Sequence, residues 1–397
     1  MEAMPNSKRV MIVAGEASGD LHGARLVQEM RSRDRSLSFF AIGGRALKEA
    51  GARVRVDADA LSVVGITEVV SRLPVLIRAM RTGKEMLRRL RPALLVLIDF
   101  PDFNLHLAAL AKKLGIPVLY YITPQVWAWR KGRVRIIRRR VDHAAVILPF
   151  EVDFFRRHGI AATYVGHPLL DDGPSADDGP KQNSDLQPPE TTDPVVGLLP
   201  GSRHREVVRH LPSMIEAASR IARRNGRTRF LVSVAPSVGR ATVEAVVAAQ
   251  PATPARIMLA EAPVQNIFQR CTLVVAVSGT VTLQAALAGV PTVIIYRVSP
   301  ASYWIGRLLI RVPYIGLANL IAGRQVMPEL VQDQASPDSI AKTVSGLLAR
   351  PERLEKMRRA LLKVRDRMGR PGAASRVADI AMEMIGDRKV KPLKRPS

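Results

Sequence analysis

Residues 195–207 read VVGLLPGSRHREV: a continuous apolar run, a Pro-Gly turn, then Ser202 and Arg203 ahead of a polar, helix-like segment. An apolar run without alternation marks a strand buried on both faces, which calls for a parallel sheet covered by helices. The chain opens on the same unit, RVMIVAGEASGD (9–20). In chain order, similar runs follow this N-terminal unit, the first of the two: LSFFAI (37–42), ALLVLI (93–98), PVLYYI (117–122), AAVIL (144–148) and ATYV (162–165). The second is followed by FLVSVA (230–235), RIMLA (256–260), TLVVAV (272–277) and TVIIY (292–296). Helix-like spacers separate them, so the expected class is α/β, with two Rossmann-like, doubly wound parallel-sheet domains. In such sheets ligands sit outside the carboxyl ends of the strands, and two of them leave a cleft.

The division falls at DDGPSADDGPKQNSDLQPPETTD (171–193), which carries seven acidic residues, four prolines and almost nothing apolar. It reads as a solvated linker. The expected domains are therefore 1–170 and 194–350, with basic helices over 351–397 crossing back towards the first domain. At 397 residues two domains are the ordinary outcome. A net charge of +25 favours anionic partners: phosphates, nucleic acid or anionic lipid. A single cysteine, Cys271, leaves no internal disulfide framework and fits a reducing cytosol. The N-terminus lacks the pattern of a signal peptide, and the longest apolar stretch, WIGRLLIRVPYIGLANLIAG (304–323), is broken by Arg307, Arg311 and Pro313. A soluble or at most peripheral protein is expected.

Three strand exits carry small residues ahead of a helix. Gly15, Glu16, Ser18, Gly19 and Asp20 form the first, in AGEASGD; it is no P-loop and reads equally as a tight turn. Gly201, Ser202 and Arg203 form the second, where an arginine and free helix amides could hold a phosphate. Ser278, Gly279 and Thr280 form the third, in AVSGTVTLQAALAGVP (276–291). Two such loops in one half point to a diphosphate site. In LIDFPDFN (97–104), Asp99 follows an apolar strand as a candidate general base, while Asp102 also suits a helix cap. The seven histidines show no zinc spacing, and DAD (57–59) lies away from every glycine turn, so neither a metal nor a cofactor is expected.

In order along the chain, GEASGD, SVVGITEVV, IDFPDFN, TPQVWAWR, LPFE, YVGHPL, LLPGSR, SGTVTLQAAL and NLIAGR resemble the lipid-A-disaccharide synthase family over residues 9–380. The resemblance implies a GT-B glycosyltransferase that joins UDP-2,3-diacylglucosamine to 2,3-diacylglucosamine 1-phosphate. The products would be a β(1→6) disaccharide and UDP, formed with inversion and without metal. It carries the base to Asp99, diphosphate contacts to Arg203 and Ser278–Thr280, and the nucleotide side to Asn319. Residues Gly15 to Asp20 would face the acceptor. Gln284 stands where the family usually has a glutamate for the ribose, and Ala318 where it tends to have proline. A homodimer exchanging C-terminal helices is also implied, as is a place on the cytoplasmic face of the inner membrane.

The stretch TPQVWAWRKGRVRIIRRRVD (123–142) sets two tryptophans beside seven Arg or Lys. Val134, Ile137 and Val141 fall on one helical face and should pack inward, leaving the arginines towards anionic headgroups. RLPVLIRAMRTGKEMLRRLRP (72–92) interleaves aliphatics, Leu73, Val75, Leu76, Ile77, Met80 and Leu87, with basic residues, as an interfacial helix would. Two other readings compete: a UDP-sugar 2-epimerase of the same fold, and a basic RNA-binding protein. The latter lacks an RRM-type aromatic signature, so nucleic acid is not expected as a partner.

Overall fold

The computed structural model describes residues 8–58, 66–128, 132–171, 193–299, 303 and 312–386, with side chains of the helix Ile66–Leu90 described from Pro74 onward. The side chains of SVVGITEVV, residues Trp129 to Lys131, linker residues 172–192, the stretch 304–311, Asp59 and the basic tail lie outside these residues.

The first sheet holds seven parallel strands: β1 (Arg9–Ala14), β2 (Ser38–Gly43), β3 (Arg53–Asp57), β4 (Leu94–Ile98), β5 (Val118–Tyr121), β6 (His143–Val146) and β7 (Ala162–Tyr164). Their order is β3-β2-β1-β4-β5-β6-β7. The second holds β8 (Val195–Leu199), β9 (Arg229–Ser233), β10 (Arg256–Ala260), β11 (Leu273–Val277), β12 (Thr292–Tyr296) and β13 (Glu329–Val331), in the order β10-β9-β8-β11-β12-β13. Every strand pair is parallel, and the central strands β1, β4 and β11 are buried nearly throughout, as their unbroken apolar runs require.

Each sheet reverses its winding once, between β1 and β4 in the first and between β8 and β11 in the second. Those are the switch points where loops from adjacent strands part and leave a crevice. The turns after β1 and β4 flank the first. The turns after β8 and β11 flank the second. This topology is why residues some eighty positions apart in sequence become neighbours.

The chain divides into two compact units, Met1–Asp172 with Arg370–Ser397, and Gly173–Gly369. The C-terminal reading is corrected here. The basic helix Pro351–Arg367 stays within the second unit, where Arg367 donates to the carbonyls of Ile321 and Ala322. Only the helix Ala373–Gly386 joins the first unit. It does so because Val377, Ala378, Ala381 and Ile385 recur at helical spacing and complete the core formed by Val10, Ile12, Leu26, Val27 and Met30. Arg33 pairs with Asp379 at 2.8 Å, Arg376 donates to the Val165 carbonyl at 2.7 Å, and Asp171 accepts from the amides of Gly372 and Ala373.

The basic segments are also less outward than their sequence suggests. In the helix Arg133–Arg140, Val134 and Ile137 are buried, as is Val141 beyond it. Yet Arg133 is spent on Asp102 and Arg140 on the Leu105 carbonyl, leaving Arg135, Arg138 and Arg139 exposed. In the helix Ile66–Leu90, Ala79, Met86 and Leu87 are core, and Leu76 and Met80 pack against it. Of the proposed interfacial aliphatics only Val75 and Ile77 are exposed, and Leu73 lies outside the described side chains.

Candidate active site

At the first switch point the chain leaves β4 through two consecutive left-handed residues, Asp99 (φ 44°) and Phe100 (φ 48°), neither of them glycine. Such a conformation costs on the order of 1–2 kcal/mol per residue, and strain of this kind collects where a side chain must be aimed. Pro101 then starts the helix Pro101–Lys113. The Asp99 carbonyl accepts from Tyr120 Oη at 2.9 Å and from Asn104 Nδ2 at 2.6 Å, and Asn104 also donates to the Ile98 carbonyl at 3.1 Å. Asn104 is the last residue of IDFPDFN. It and Tyr120 went unread as site residues, because nothing in their spacing announces a side-chain bond to a backbone kink.

Burial holds the Asp99 carboxyl up at about 6, and the nearby Glu16 carboxylate adds to the effect. Glu16 and Ser18 are exposed at the start of the helix Ala17–Arg33. Gly15 has a different use from close approach to a ligand: a Cβ there would stand 2.4 Å from the Phe100 ring, so the glycine makes room for the kink. Gly19 is buried under Ile98. Asp20 is buried too, and its carboxylate accepts from the amides of Gly44, Ala46 and Leu47. That fastens the Arg45–Glu49 helix start to the β1 turn, so Asp20, expected to face the acceptor, is buried and bonded within the first unit. Asp102 is exposed and ion-paired with Arg133.

Beside it, Trp127 is not a surface aromatic. Its Nε1 donates to Glu151 Oε1 at 2.9 Å, and its ring meets Phe150 edge-on at 4.9 Å. Glu151 is 1% exposed and also accepts from the Leu148 amide at 3.0 Å. Burial raises its carboxyl to about 7, against the pull of the Trp127 and backbone donors. LPFE offers no hint of this, since a Glu in a helix's first turn is ordinarily solvated.

The second switch point opens into a cavity of about 850 Å³. Gly201, Ser202 and Arg203 line it from the β8 turn, and Ser278, Gly279, Thr280 and Gln284 from the β11 turn and the helix Thr280–Leu287. Val234, Ala235, Pro236, Ala262 and Val264 make an apolar end. Gly201 sits at φ 114°, and a Cβ there would fall 2.3 Å from Glu206. Glu206 reaches back from the helix His204–Arg224 to accept the Ser202 amide at 3.0 Å and the Arg203 amide at 3.3 Å. This capping box fixes the turn. Arg203 remains largely exposed, with one long contact of 3.4 Å to Glu206.

Asn319 is placed otherwise than expected. It is buried and does not line the cavity; it accepts from the amides of Val326 and Met327 and donates to Glu329 Oε1 at 2.7 Å. All its bonds are internal, so it shapes the segment around the helix Leu317–Ala322. Glu329 does the same, accepting the amides of Ile315 and Gly316, and was missed because it opens a short edge strand. Among the described residues no three His, Cys, Asp or Glu side chains converge on a possible metal position.

Two parallel-sheet α/β units, each with one switch point, are the architecture of the GT-B class, to which sugar-nucleotide enzymes belong. Solved structures agree on the fold: MurG from Acinetobacter baumannii superimposes with a TM-score of 0.59 at 15% identity, over 95% of this chain and 99% of that one. The UDP-GlcNAc 2-epimerase from Neisseria meningitidis gives 0.61 at 12% identity, over 96% and 100%. Transferases and epimerases thus share it, and fold alone does not choose. Sequence does: the lipid-A-disaccharide synthetase model matches residues 10–383, and the chain belongs to that family. Lipid-A-disaccharide synthases from Geobacter sulfurreducens (45% identical, 96% of this chain and 98% of that one) and Syntrophus aciditrophicus (46%, 96% and 98%) are among its relatives. It is a hexosyltransferase of lipid A biosynthesis, forming the disaccharide from a UDP-sugar and a sugar phosphate. The epimerase and RNA-binding readings fall away.

Proposed function

We propose that Asp99 is the general base of an inverting transfer. Its carboxylate takes the proton of the acceptor's 6-hydroxyl as that oxygen attacks the anomeric carbon of the UDP-sugar. The new C1–O6 bond forms as the bond from C1 to the diphosphate oxygen breaks, UDP departs and the proton stays on Asp99. A base held at about 6 is ionised at neutral pH yet basic enough to assist, which is the balance general-base catalysis favours. That raised, half-buried carboxyl in a left-handed turn carries the assignment.

The departing diphosphate gains negative charge. Arg203 and the amides opening the helices at 204 and 280 are the groups in the second unit suited to it. The apolar end of the cavity suits the uracil ring, and Gln284 suits a ribose hydroxyl, accepting one proton where a glutamate would accept two. Ser18, Glu16 and the exposed Arg135, Arg138 and Arg139 are assigned to the acceptor and its phosphate. Both sugars would carry two acyl chains, drawn from an anionic bilayer surface to which Val75, Ile77, Arg78, Arg81 and Arg88 dock. No helix among the described residues is long and apolar enough to cross a membrane. The contacts made by the helix Ala373–Gly386 could equally be made between two subunits, giving the exchanged dimer.

The test is Asp99→Asn. Turnover should fall by about 10²–10⁴ while UDP affinity holds, with Asp102→Asn nearly wild type. An Asp99→Asn enzyme within tenfold of wild type would remove the assignment.

A further inference from the structure

We propose that Asn104 and Tyr120 are positioning residues for Asp99: by holding its backbone carbonyl they fix the left-handed turn that aims its side chain. The proposal rests on Asp99 being the base. Strand-to-helix turns needing positive φ ordinarily use glycine, which adopts it without steric penalty. This turn uses Asp and Phe in succession. Something must therefore over-determine the conformation, and two side chains do. Tyr120 reaches the Asp99 carbonyl from the neighbouring strand β5. Asn104 reaches it from the helix that the turn starts, while its own amide closes on the Phe100 carbonyl at 3.0 Å. Both donor side chains are wholly buried, so neither has water as an alternative partner. One tie comes from the neighbouring strand and one from the helix that follows.

On the far side, the Phe100 ring fills the space that a Cβ at Gly15 would occupy and lies 5.3 Å from the Phe103 ring. Release of the carbonyl would allow Asp99 and Phe100 to relax towards ordinary backbone, swinging the carboxylate out of its half-buried position. Charged and titratable groups around it are Glu16 from the β1 turn, Tyr120 from β5, and the Asp102–Arg133 pair from the two following helices. None of these moves with the Tyr120→Phe or Asn104→Ala change except Tyr120 itself, which is neutral.

The experiment measures UDP release by full-length Tyr120→Phe, Asn104→Ala and the double variant, beside Asp99→Asn, together with UDP affinity by calorimetry. Misplacing a reacting group by about 1 Å costs up to about 10²-fold. We expect kcat to fall about tenfold in each single variant and about a hundredfold in the double. KM for the UDP-sugar and UDP affinity should stay within about twofold, because that site is built by the other unit. The acid limb of the kcat/KM profile should move below 6 as the carboxyl leaves its buried place. A purely structural role would not move that limb. An inactive Asp99→Asn beside a double variant with wild-type kcat and limb would overturn the clamp alone. A kcat loss with an unmoved limb would overturn it equally. An active Asp99→Asn would instead overturn the base.

Discussion

Glu151→Gln exchanges a buried carboxyl for an amide of the same shape. In the wild type the carboxyl titrates at about 7 instead of 4.5, mostly because burial penalises its charge. That raised value means the folded protein binds this proton more tightly than the unfolded chain does. The stabilisation is therefore fully present below pH 4.5 and is lost as pH rises through about 7. A rise from 4.5 to about 7, at about 1.4 kcal/mol for each tenfold in proton affinity, amounts to about 3.5 kcal/mol in full. The glutamine cannot titrate. It keeps one oxygen for Trp127 or for the Leu148 amide and turns its NH₂ on the other donor, a mismatch that is constant with pH. The difference in unfolding free energy, wild type minus variant, should thus fall by about 3 kcal/mol between pH 4.5 and pH 8. Urea unfolding followed by tryptophan fluorescence measures it, since Trp127 donates directly to this carboxyl. A difference that is flat across this range, or rises with pH, would refute the reasoning and place the Glu151 carboxyl in a solvated setting.

Arg203→Ala should weaken UDP by about 1.5–3 kcal/mol, the worth of a charge-assisted bond; unchanged affinity by calorimetry would put the diphosphate elsewhere. Gln284→Glu should leave UDP affinity equal or slightly tighter, and a marked loss would remove Gln284 from the ribose. Binding to anionic vesicles should fall steeply with salt, since each basic residue near the surface contributes about 1 kcal/mol that counter-ions screen. Arg78→Glu with Arg88→Glu should weaken it further without touching UDP affinity, and protein left in the supernatant at low salt would contradict a docking role. Light scattering at micromolar protein should show a dimer; monomer alone would rule out exchange of the last helix.

Strands buried on both faces were legible because they are written as unbroken apolar runs, TVIIY to the residue; the edge strand RIMLA was read from its apolar run although its burial alternates. The two strands that went unread, β3 and β13, are edges: RVRVD alternates, and ELV is short and opens on the charge that organises residues 315–319. An edge strand needs only half an apolar face, so its sequence carries half the signal. Among site residues, small residues at strand exits were found, since glycine and serine mark turns. What those turns do with the space was not. Gly15 yields to Phe100, and Asp20 and Asn319 spend their polar atoms on backbone amides. A motif preserves a residue's identity without telling whether its partner is a ligand or the chain itself. The Trp127 bond to Glu151 and the Tyr120 bond to Asp99 join residues more than twenty positions apart, which no local window contains.

The return of the last helix to the first unit has a consequence for how the protein comes into being on the ribosome. The groove over Leu26, Val27 and Met30 is made early, but its cover, Val377 to Ile385, is translated last. At about 5–20 residues per second, the roughly 200 residues of the second unit, Gly173–Gly369, take on the order of 10–40 s to appear. Through that interval the second unit can finish folding while the first waits with an apolar face open to solvent. A nascent chain in that condition is a client for chaperones, and on a polysome it stands beside other chains carrying the same cover. Were the last helix exchanged between subunits, the choice of groove would be a race between translation of one chain and encounter with another, decided before either enzyme had turned over once.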